Sequence, residues 1–263
     1  MLPVLETARR HWPEYLMEAA GLGLFMISAA IVTTGLEHPA SPLRQGIPDP
    51  TTRRVIIGIA MGLTAVALIY SPWGGRSGAH LNPAVTLTFL RLGKMQWVDA
   101  LFYVLGQFAG GTAGLLMAAA VIGMAVRHPA VNYAVTVPGQ EGSVAAFVAE
   151  VVISFGLMLI VLVTSNHATL RMWTGLFAGA LVAAYIAVEA PLSGMSMNPA
   201  RSFASALPAN VWSAFWVYLT APLAGMLLAA ECYLRVQGAH RVLCAKLHHE
   251  HRSGCIFRCG YAS

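Results

Sequence analysis

The chain has 263 residues, of which 57% are hydrophobic and only 10% carry a charged side chain. Soluble domains carry about 25% charged residues, so this composition excludes a water-soluble globular protein and indicates a protein that lies in lipid. The net charge of +5 does not indicate nucleic-acid binding, because the basic residues flank apolar segments and form no basic face.

Six apolar segments are long enough to cross a membrane, which takes about 20 helical residues. They are residues 15–36, 55–71, 97–124, 144–165, 172–190 and 211–234. The first 18 residues, MLPVLETARRHWPEYLME, are too polar for a secretory signal and are expected to begin with a short interfacial helix. The loop at 37–52 contains four prolines and cannot be helical throughout, and the polar segment 127–143 is expected to be an exterior loop.

The basic residues predict the orientation of the chain. Six spans place both termini on one side of the membrane. With the termini in the cytoplasm, eleven of the sixteen Lys and Arg residues lie in cytoplasmic segments: Arg9, Arg10, Arg76, Arg91, Lys94, Arg171, Arg235, Arg241, Lys246, Arg252 and Arg258. The positive-inside rule therefore favours cytoplasmic termini. We expect a multi-pass protein of the bacterial inner (plasma) membrane.

The pattern Ser-Gly-x-x-x-Asn-Pro-Ala occurs twice, as SGAHLNPA at 77–84 and SGMSMNPA at 193–200. Each copy follows the second span of a similar half of the chain, about 12–126 and 144–236, and each half has an acidic residue in its first span, Glu18 or Glu150. Three spans per half is an odd number, so the halves lie in opposite orientations across the membrane. Such an inverted repeat indicates a pathway between the halves near the membrane midplane.

Each Asn-Pro-Ala precedes an apolar run too short to span a membrane, at 85–92 and at 201–207. Asn is a preferred helix N-cap and Pro is preferred at the first helical position, so each motif predicts the start of a half-helix. The residues before each motif are expected to be extended. Irregular backbone at membrane depth is tolerated only where it is buried in protein or lines a wet cavity.

Two half-helices that meet end to end would place Asn82 and Asn198 at the centre of a pore. Their side-chain donors would orient the oxygen of a passing water and interrupt a proton wire. Arg201 lies one turn further along and, together with the positive helix ends, would repel cations. An Arg within a membrane is costly and is functional by default.

On the two Asn-Pro-Ala motifs, Arg201 and the pair Glu18 and Glu150, the chain resembles the major intrinsic protein family, the aquaporins and aquaglyceroporins, over about residues 12–236. The resemblance implies an all-α membrane fold of six transmembrane helices plus two re-entrant half-helices. It implies a homotetramer with one pore per subunit, which passes water and small uncharged solutes without protons or ions. It also implies that Glu18 and Glu150 brace the re-entrant loops by accepting backbone hydrogen bonds.

The resemblance implies that the following residues of this chain form the pore. The two motifs supply Asn82, Pro83, Ala84, Asn198, Pro199 and Ala200. The expected lining residues are Gly78, Ala79, His80, Leu81, Gly194, Ser196 and Met197. For His80, a buried hydrogen-bonded histidine is the alternative.

The filter that would set solute preference is expected at Met61 or Gly62, Ile186, Met195 and Arg201. Water-selective members resemble each other in having an aromatic residue on span two and His on span five, which this chain lacks. Aquaglyceroporins typically have Asp after the Arg, and here Ser202 follows instead. The solute therefore stays open between water and a broader set of glycerol, urea, ammonia, hydrogen peroxide or a metalloid acid. Met61 and Ile186 could also face lipid or the protein core.

Glu189 lies three residues after Ile186 and near the outer end of span five. It is expected to brace the loop at 192–197, whose backbone N–H groups need partners. One alternative is a vestibule carboxylate that pairs with Arg201. Another is the titrating group of a proton-coupled transporter, a different class of protein.

Residues 237–263 are predicted to form a cytoplasmic tail that contains Cys244, His248, His249, His251, Cys255 and Cys259. These residue types could bind zinc or copper and make the channel metal-regulated, but the spacing is not that of a standard finger, so a flexible basic tail is the alternative. No cofactor is expected. The chain has no phosphate loop and no nucleophile–base pair, so it is not expected to be an enzyme.

Overall fold

The computed structural model describes residues 2–249 and 255–261, and these residues contain helices and connecting segments without a β-strand. Its main helices are α1 (Leu2–Glu37), α2 (Pro50–Tyr70), α3 (Pro83–Arg91), α4 (Trp97–Ile122), α5 (Gly142–Ser165), α6 (Thr174–Val188), α7 (Pro199–Ala209) and α8 (Phe215–Gln237). Short helical turns occupy Pro42–Gly46, Pro72–Ser77, Gly123–Arg127, Asn132–Ala134, Arg171–Trp173, Ala190–Ser193 and Ala239–Arg241. Below, the inner side is the side on which α1 begins and α8 ends.

Six of these helices are long and apolar enough to cross a membrane, which confirms the predicted spans. The first differs from the prediction at its start, because α1 runs without a break from Leu2 and includes the stretch expected as a separate interfacial helix. Proline is tolerated in the first turn of a helix, so Pro3 does not prevent this continuity.

Close helix crossings relate the two halves. In the first half α1 packs on α4, and a Cβ added at Gly110 would lie 2.0 Å from the carbonyl oxygen of Ala19. In the second half α5 packs on α8, and a Cβ added at Gly225 would lie 2.3 Å from the carbonyl oxygen of Val151. Only glycine lets these backbones approach so closely, which is the usual role of small residues between membrane helices.

The third helix pair, α2 and α6, joins the two halves. A Cβ added at Gly62 would lie 2.5 Å from the carbonyl oxygen of Gly179, and one added at Gly179 would lie 2.7 Å from that of Gly62. This reciprocal contact is what a two-fold relationship between inverted halves requires.

The two half-helices α3 and α7 begin at the residue after Asn82 and Asn198, as the caps predicted. The segments before them are not extended as expected. Positive φ angles occur at Gly78, Ala79, Leu81, Gly194, Met195 and Met197. The left-handed residues turn successive amides of each loop toward a single buried carboxylate, which an extended strand could not do.

The described part of the tail packs onto the channel and does not behave as a separate segment. Val242, Cys244, Leu247 and Phe257 belong to the same buried apolar cluster as Phe89 of α3. Each of these tail side chains is at most 6% exposed. The alternative of a flexible basic tail therefore does not fit these residues.

Candidate functional site: a pore between the two halves

Glu18 is fully buried in α1 and accepts hydrogen bonds with both carboxylate oxygens. Oε1 accepts from the backbone N–H of His80 at 3.0 Å and from the hydroxyl of Ser77 at 2.8 Å. Oε2 accepts from the backbone N–H of Leu81 at 2.6 Å and from Nε2 of Gln107 at 2.8 Å. One carboxylate thus ties the first re-entrant loop to α1 and α4.

Glu150 forms the same arrangement in the second half. Its Oε1 accepts from the hydroxyl of Ser193 at 2.7 Å and from the backbone N–H of Ser196 at 2.6 Å. Its Oε2 accepts from the backbone N–H of Met197 at 2.7 Å. The repeat extends to a tyrosine in each half: Tyr103 donates to the carbonyl of Ser77 at 2.7 Å, and Tyr218 donates to the carbonyl of Ser193 at 2.6 Å. Nothing in the linear sequence connects these two tyrosines to the loops.

Asn82 and Asn198 meet where the two half-helices begin. Each Oδ1 caps its own helix: that of Asn82 accepts from the N–H of Ala84 at 2.8 Å, and that of Asn198 accepts from the N–H of Ala200 at 3.1 Å. Each Nδ2 crosses to the other loop. Asn82 donates to the carbonyl of Met197 at 2.7 Å, and Asn198 donates to the carbonyl of Leu81 at 2.8 Å.

A cavity of about 370 Å³ runs past this crossing point. Its walls come from both re-entrant loops, from residues of α1 and α5, and from one stripe on each of α2 and α6. The stripe on α2 consists of Arg54, Ile57, Met61, Ala65 and Ile69, and the stripe on α6 consists of Ala178, Val182 and Ile186. Spacings of three or four residues place each set on one helix face.

All four positions expected for the filter border this cavity: Met61, Ile186, Met195 and Arg201. The structure separates Met61 from its alternative, since Gly62 faces Gly179 of α6 at backbone distance. Ile57 lies one turn from Met61 and also borders the cavity, which the sequence analysis did not predict. Its spacing of four from Met61 was the signal that could have found it.

The geometry of the pore can now be set beside a comparison of the chain with known protein families. The sequence model of the major intrinsic proteins matches residues 7–233. The chain belongs to the major intrinsic protein family. Aquaporin NIP1-4 of Oryza sativa subsp. japonica is 36% identical to it over 178 residues, which are 67% of this chain and 63% of that protein. Aquaporin NIP6-1 of Arabidopsis thaliana is 38% identical over 185 residues, which are 69% of this chain and 58% of that protein.

The chain spans about 60% of the length of these curated relatives. Both are plant proteins, so they do not support the bacterial inner membrane that was expected. Among solved structures, an aquaglyceroporin from Plasmodium falciparum superimposes with a TM-score of 0.70 and 20% identity, and covers 86% of this chain and 96% of its own. That likeness shows the fold.

Within this major intrinsic protein, Arg201 of α7 borders the cavity, and its Nη1 is buried without a hydrogen-bond partner among the described residues. A second cation, Arg54, lies on the α2 stripe and was not expected there. Its Nε donates to the carbonyl of Ala187 at 2.9 Å, just past the end of the α6 stripe. Two guanidinium groups therefore lie at the same cavity.

Ser202, which stands where aquaglyceroporins typically have Asp, points away from solvent and is only 1% exposed. Its hydroxyl bonds to the hydroxyls of Ser196 at 2.6 Å and Thr136 at 2.7 Å. Thr136 belongs to the segment 127–143 between the halves, so this segment contacts the second re-entrant loop through Ser202. It also borders the outer part of the cavity with Ala130 and Val131, which was not evident from its polar, loop-like composition.

His80 borders the inner part of the cavity, and both of its ring nitrogens have partners. Nδ1 lies 3.1 Å from the hydroxyl of Thr86, and Nε2 donates to the carbonyl of Ala245 in the tail at 2.8 Å. The ring stacks between Phe89 and Phe257, with centroids 5.2 and 5.5 Å away. The residue is thus both a lining residue and a buried, hydrogen-bonded histidine.

Glu189 does not brace the loop in the way expected. Its carboxylate lies near the side chain of Ser193, but its buried oxygens make no hydrogen bond of normal geometry with the described residues, and no ion pair with Arg201 is found there. The backbone makes the contact instead, because the carbonyl of Glu189 accepts from the N–H of Leu192 at 2.8 Å. Other groups bind the amides of this loop: the backbone at the start of the helical turn accepts from Leu192 and Gly194, Oγ of Ser193 accepts from Met195, and Glu150 accepts from Ser196 and Met197.

Four of the six tail residues singled out in the sequence come together: Cys244, His249, Cys255 and Cys259. His248 lies apart and contacts the ring of Tyr70 at 4.8 Å, while His251 lies outside the described residues. Cys244 lies 3.5 Å from Cys255, sulfur to sulfur. The hydrogen bond from the Cys244 thiol lowers the pKa of Cys255.

Proposed function

We propose that this protein is a passive channel for water and small uncharged solutes that excludes protons and other ions. The observation that carries the proposal is the reciprocal crossing of Asn82 and Asn198 beside the cavity. It supplies two fixed donor groups at the point where two helix N-termini converge, in a cavity bordered by both halves.

The amide geometry supports proton exclusion. A side-chain amide has two N–H groups, and here one N–H of each Asn is used by the carbonyl of the opposite loop. The second N–H of each amide is available to a permeating molecule. A water whose oxygen accepts from both amides points its hydrogens away from them, which interrupts a hydrogen-bonded proton wire. The two helix N-termini add positive potential at the same place.

The filter supports passage of neutral rather than charged solutes. Met61, Ile57 and Ile186 give the cavity an apolar wall, while Nη1 of Arg201 is left to bind a polar atom of the solute. A buried guanidinium repels cations, and an apolar wall cannot replace the hydration shell of an anion. The wall lacks the filter His of water-selective members, which supports a solute range broader than water.

A broader facilitator of glycerol, urea or a similar neutral solute is the second candidate, favoured by the aliphatic and thioether side chains at Ile57, Met61 and Ile186. The two candidate functions share the same pore and differ only in the solutes that its filter passes. Family membership supports a homotetramer with one pore per subunit. The excess of basic residues on the inner side supports a plasma-membrane orientation with both termini in the cytoplasm. Family membership supports a channel and not an enzyme.

Stopped-flow light scattering on proteoliposomes tests the proposal, with water, glycerol and urea compared for the full chain after treatment with a chelator. We expect fast flux that does not saturate as the solute concentration rises. A pH gradient should not change this flux. Ile186→His should lower glycerol and urea flux several-fold while water flux persists, and Ile186→Val is the matched control with the wall left apolar. Accumulation against a gradient, or equal solute flux in the Ile186→His variant and the original chain, would contradict the channel or the filter assignment, respectively.

A further inference from the structure

The tail reaches the inner end of the cavity with its first arm, residues 242–249. The N–H of Leu247 donates to the carbonyl of Gly78 in the first re-entrant loop at 3.1 Å. The carbonyl of Ala245 accepts from Nε2 of His80 at 2.8 Å. Leu247 itself borders the cavity and is 6% exposed. This arm therefore covers the inner mouth with backbone hydrogen bonds and an apolar side chain.

The second arm, residues 255–261, lies against the same loop. The ring of Phe257 stacks on His80 and touches Gly78, where an added Cβ would lie 2.9 Å from the Phe257 ring. The N–H of Arg258 donates to the carbonyl of Lys94, beyond the end of α3, at 3.0 Å. Both arms thus depend on the re-entrant loop that forms the inner half of the pore.

The Cys/His cluster joins the two arms. Cys244 and His249 belong to the first arm, and Cys255 and Cys259 belong to the second. One ligand atom from each of the four lies within 4.8 Å of every other, with Nε2 of His249 3.1 Å from Sγ of Cys259. Two sulfurs bound tetrahedrally to Zn²⁺ at about 2.3 Å lie about 3.8 Å apart, close to the 3.5 Å between Cys244 and Cys255.

The surroundings of the cluster suit a thiolate-bound cation. Three thiolates and one imidazole around a divalent ion carry a net charge of −1. Lys246, two residues after Cys244, is 1% exposed, and its ammonium group has no hydrogen-bond partner among the described residues. A buried ammonium needs a nearby negative charge, and a metal–thiolate cluster would supply one.

We propose that Cys244, His249, Cys255 and Cys259 form a site for a soft divalent cation such as Zn²⁺, and that the bound cation clamps both arms across the inner mouth and closes the pore. The family match ends at residue 233, so this site lies outside the segment that defines the family. Metal binding would release protons from the coordinating thiols and couple the cation concentration at the inner side to flux.

Metal binding is tested on the purified full chain in detergent, stripped with 1,10-phenanthroline and titrated with Co²⁺ and then Zn²⁺. We expect one ion per chain, with thiolate-to-cobalt charge-transfer absorption that Zn²⁺ abolishes. Cys255→Ser and Cys259→Ser should each weaken binding at least about tenfold, whereas Cys232→Ser, an exposed cysteine on α8 outside the cluster, should leave it unchanged. Binding that survives the double variant Cys255→Ser/Cys259→Ser, or a Cys244–Cys255 disulfide in place of bound metal, would overturn the site.

Closure is tested on proteoliposomes with Zn²⁺ or chelator on both faces. Zn²⁺ should lower water flux of the full chain several-fold, and chelation should restore it. The double Cys→Ser variant and Leu247→Gly, which opens the inner end without touching a ligand, should conduct with and without Zn²⁺. Equal flux of the full chain with Zn²⁺ and with chelator would overturn closure. Absence of flux from Leu247→Gly and the chelated chain, with Co²⁺ binding intact, would count instead against the proposed channel.

Discussion

Asn82 and Asn198 hold each other's loops: each amide donates to the backbone carbonyl that precedes the other asparagine, at 2.7 and 2.8 Å. Each side chain therefore acts as a helix cap through its oxygen and as a bridge between halves through its nitrogen. The bridge explains why the motif occurs twice, since each loop supplies the carbonyl that the amide of the other loop binds.

Asn82→Asp separates these two roles, because a carboxylate caps a helix as well as an amide does but donates no hydrogen bond. We expect α3 to persist and water flux to fall by about tenfold or more, since a charge at the midplane is strongly disfavoured. Proton leak, followed with a pH-sensitive dye inside proteoliposomes, should rise relative to water flux. Asn210→Asp at the exposed end of α7 is the control. Unchanged water and proton flux in Asn82→Asp would show that the amide of Asn82 has no part in the mechanism.

Glu150→Gln should destabilise the protein by about 3 kcal/mol, because the amide would turn an N–H toward the N–H of Ser196 or Met197 and leave a buried donor without an acceptor. Thermal unfolding in detergent measures the effect. Glu141→Gln, an exposed change at the start of the same helix, should leave the unfolding temperature within about one degree. Equal unfolding temperatures for the two variants would show that Glu150 does not hold the loop.

Met61→Ala and Gly62→Ala, changes at adjacent residues, should act in different ways. Met61 borders the cavity, so its truncation should widen the pore and raise glycerol flux several-fold in a folded protein. Gly62→Ala should lower the unfolding temperature instead, because its Cβ would lie 2.5 Å from the carbonyl oxygen of Gly179. If Gly62→Ala changed solute selectivity at unaltered stability, the assignment of the lumen face of α2 would be wrong.

Glu189→Gln should leave flux unchanged and raise the unfolding temperature at pH 8. The carboxylate oxygens are buried without hydrogen-bond partners among the described residues, so replacing a charge with a neutral amide removes a desolvation penalty. The same variant tests the proton-coupled alternative. Uptake by the original chain that a pH gradient drives and that Glu189→Gln abolishes would establish a transporter in place of a channel.

The six spans and the two half-helices could be predicted because each depends on local rules. Apolar length predicts a span, and Asn followed by Pro predicts a helix start. The loop conformation before each motif could not be predicted in the same way. Its positive φ angles at Leu81 and Met197 follow from the positions of Glu18 and Glu150, which are distant in sequence and bind the amides of those residues.

By itself, the sequence determined the membrane class, the inverted halves and the doubled motif, since apolar runs, helix caps and repeats are properties of neighbouring residues. Only the tertiary structure decided which face of α2 borders the cavity, because a helix face acquires its meaning from the helix packed against it, as Gly62 does from Gly179. The same holds for the tail. Cys244 and Cys255 become neighbours only because both arms pack on the loop at Gly78 and His80, a long-range contact that no spacing in the chain encodes.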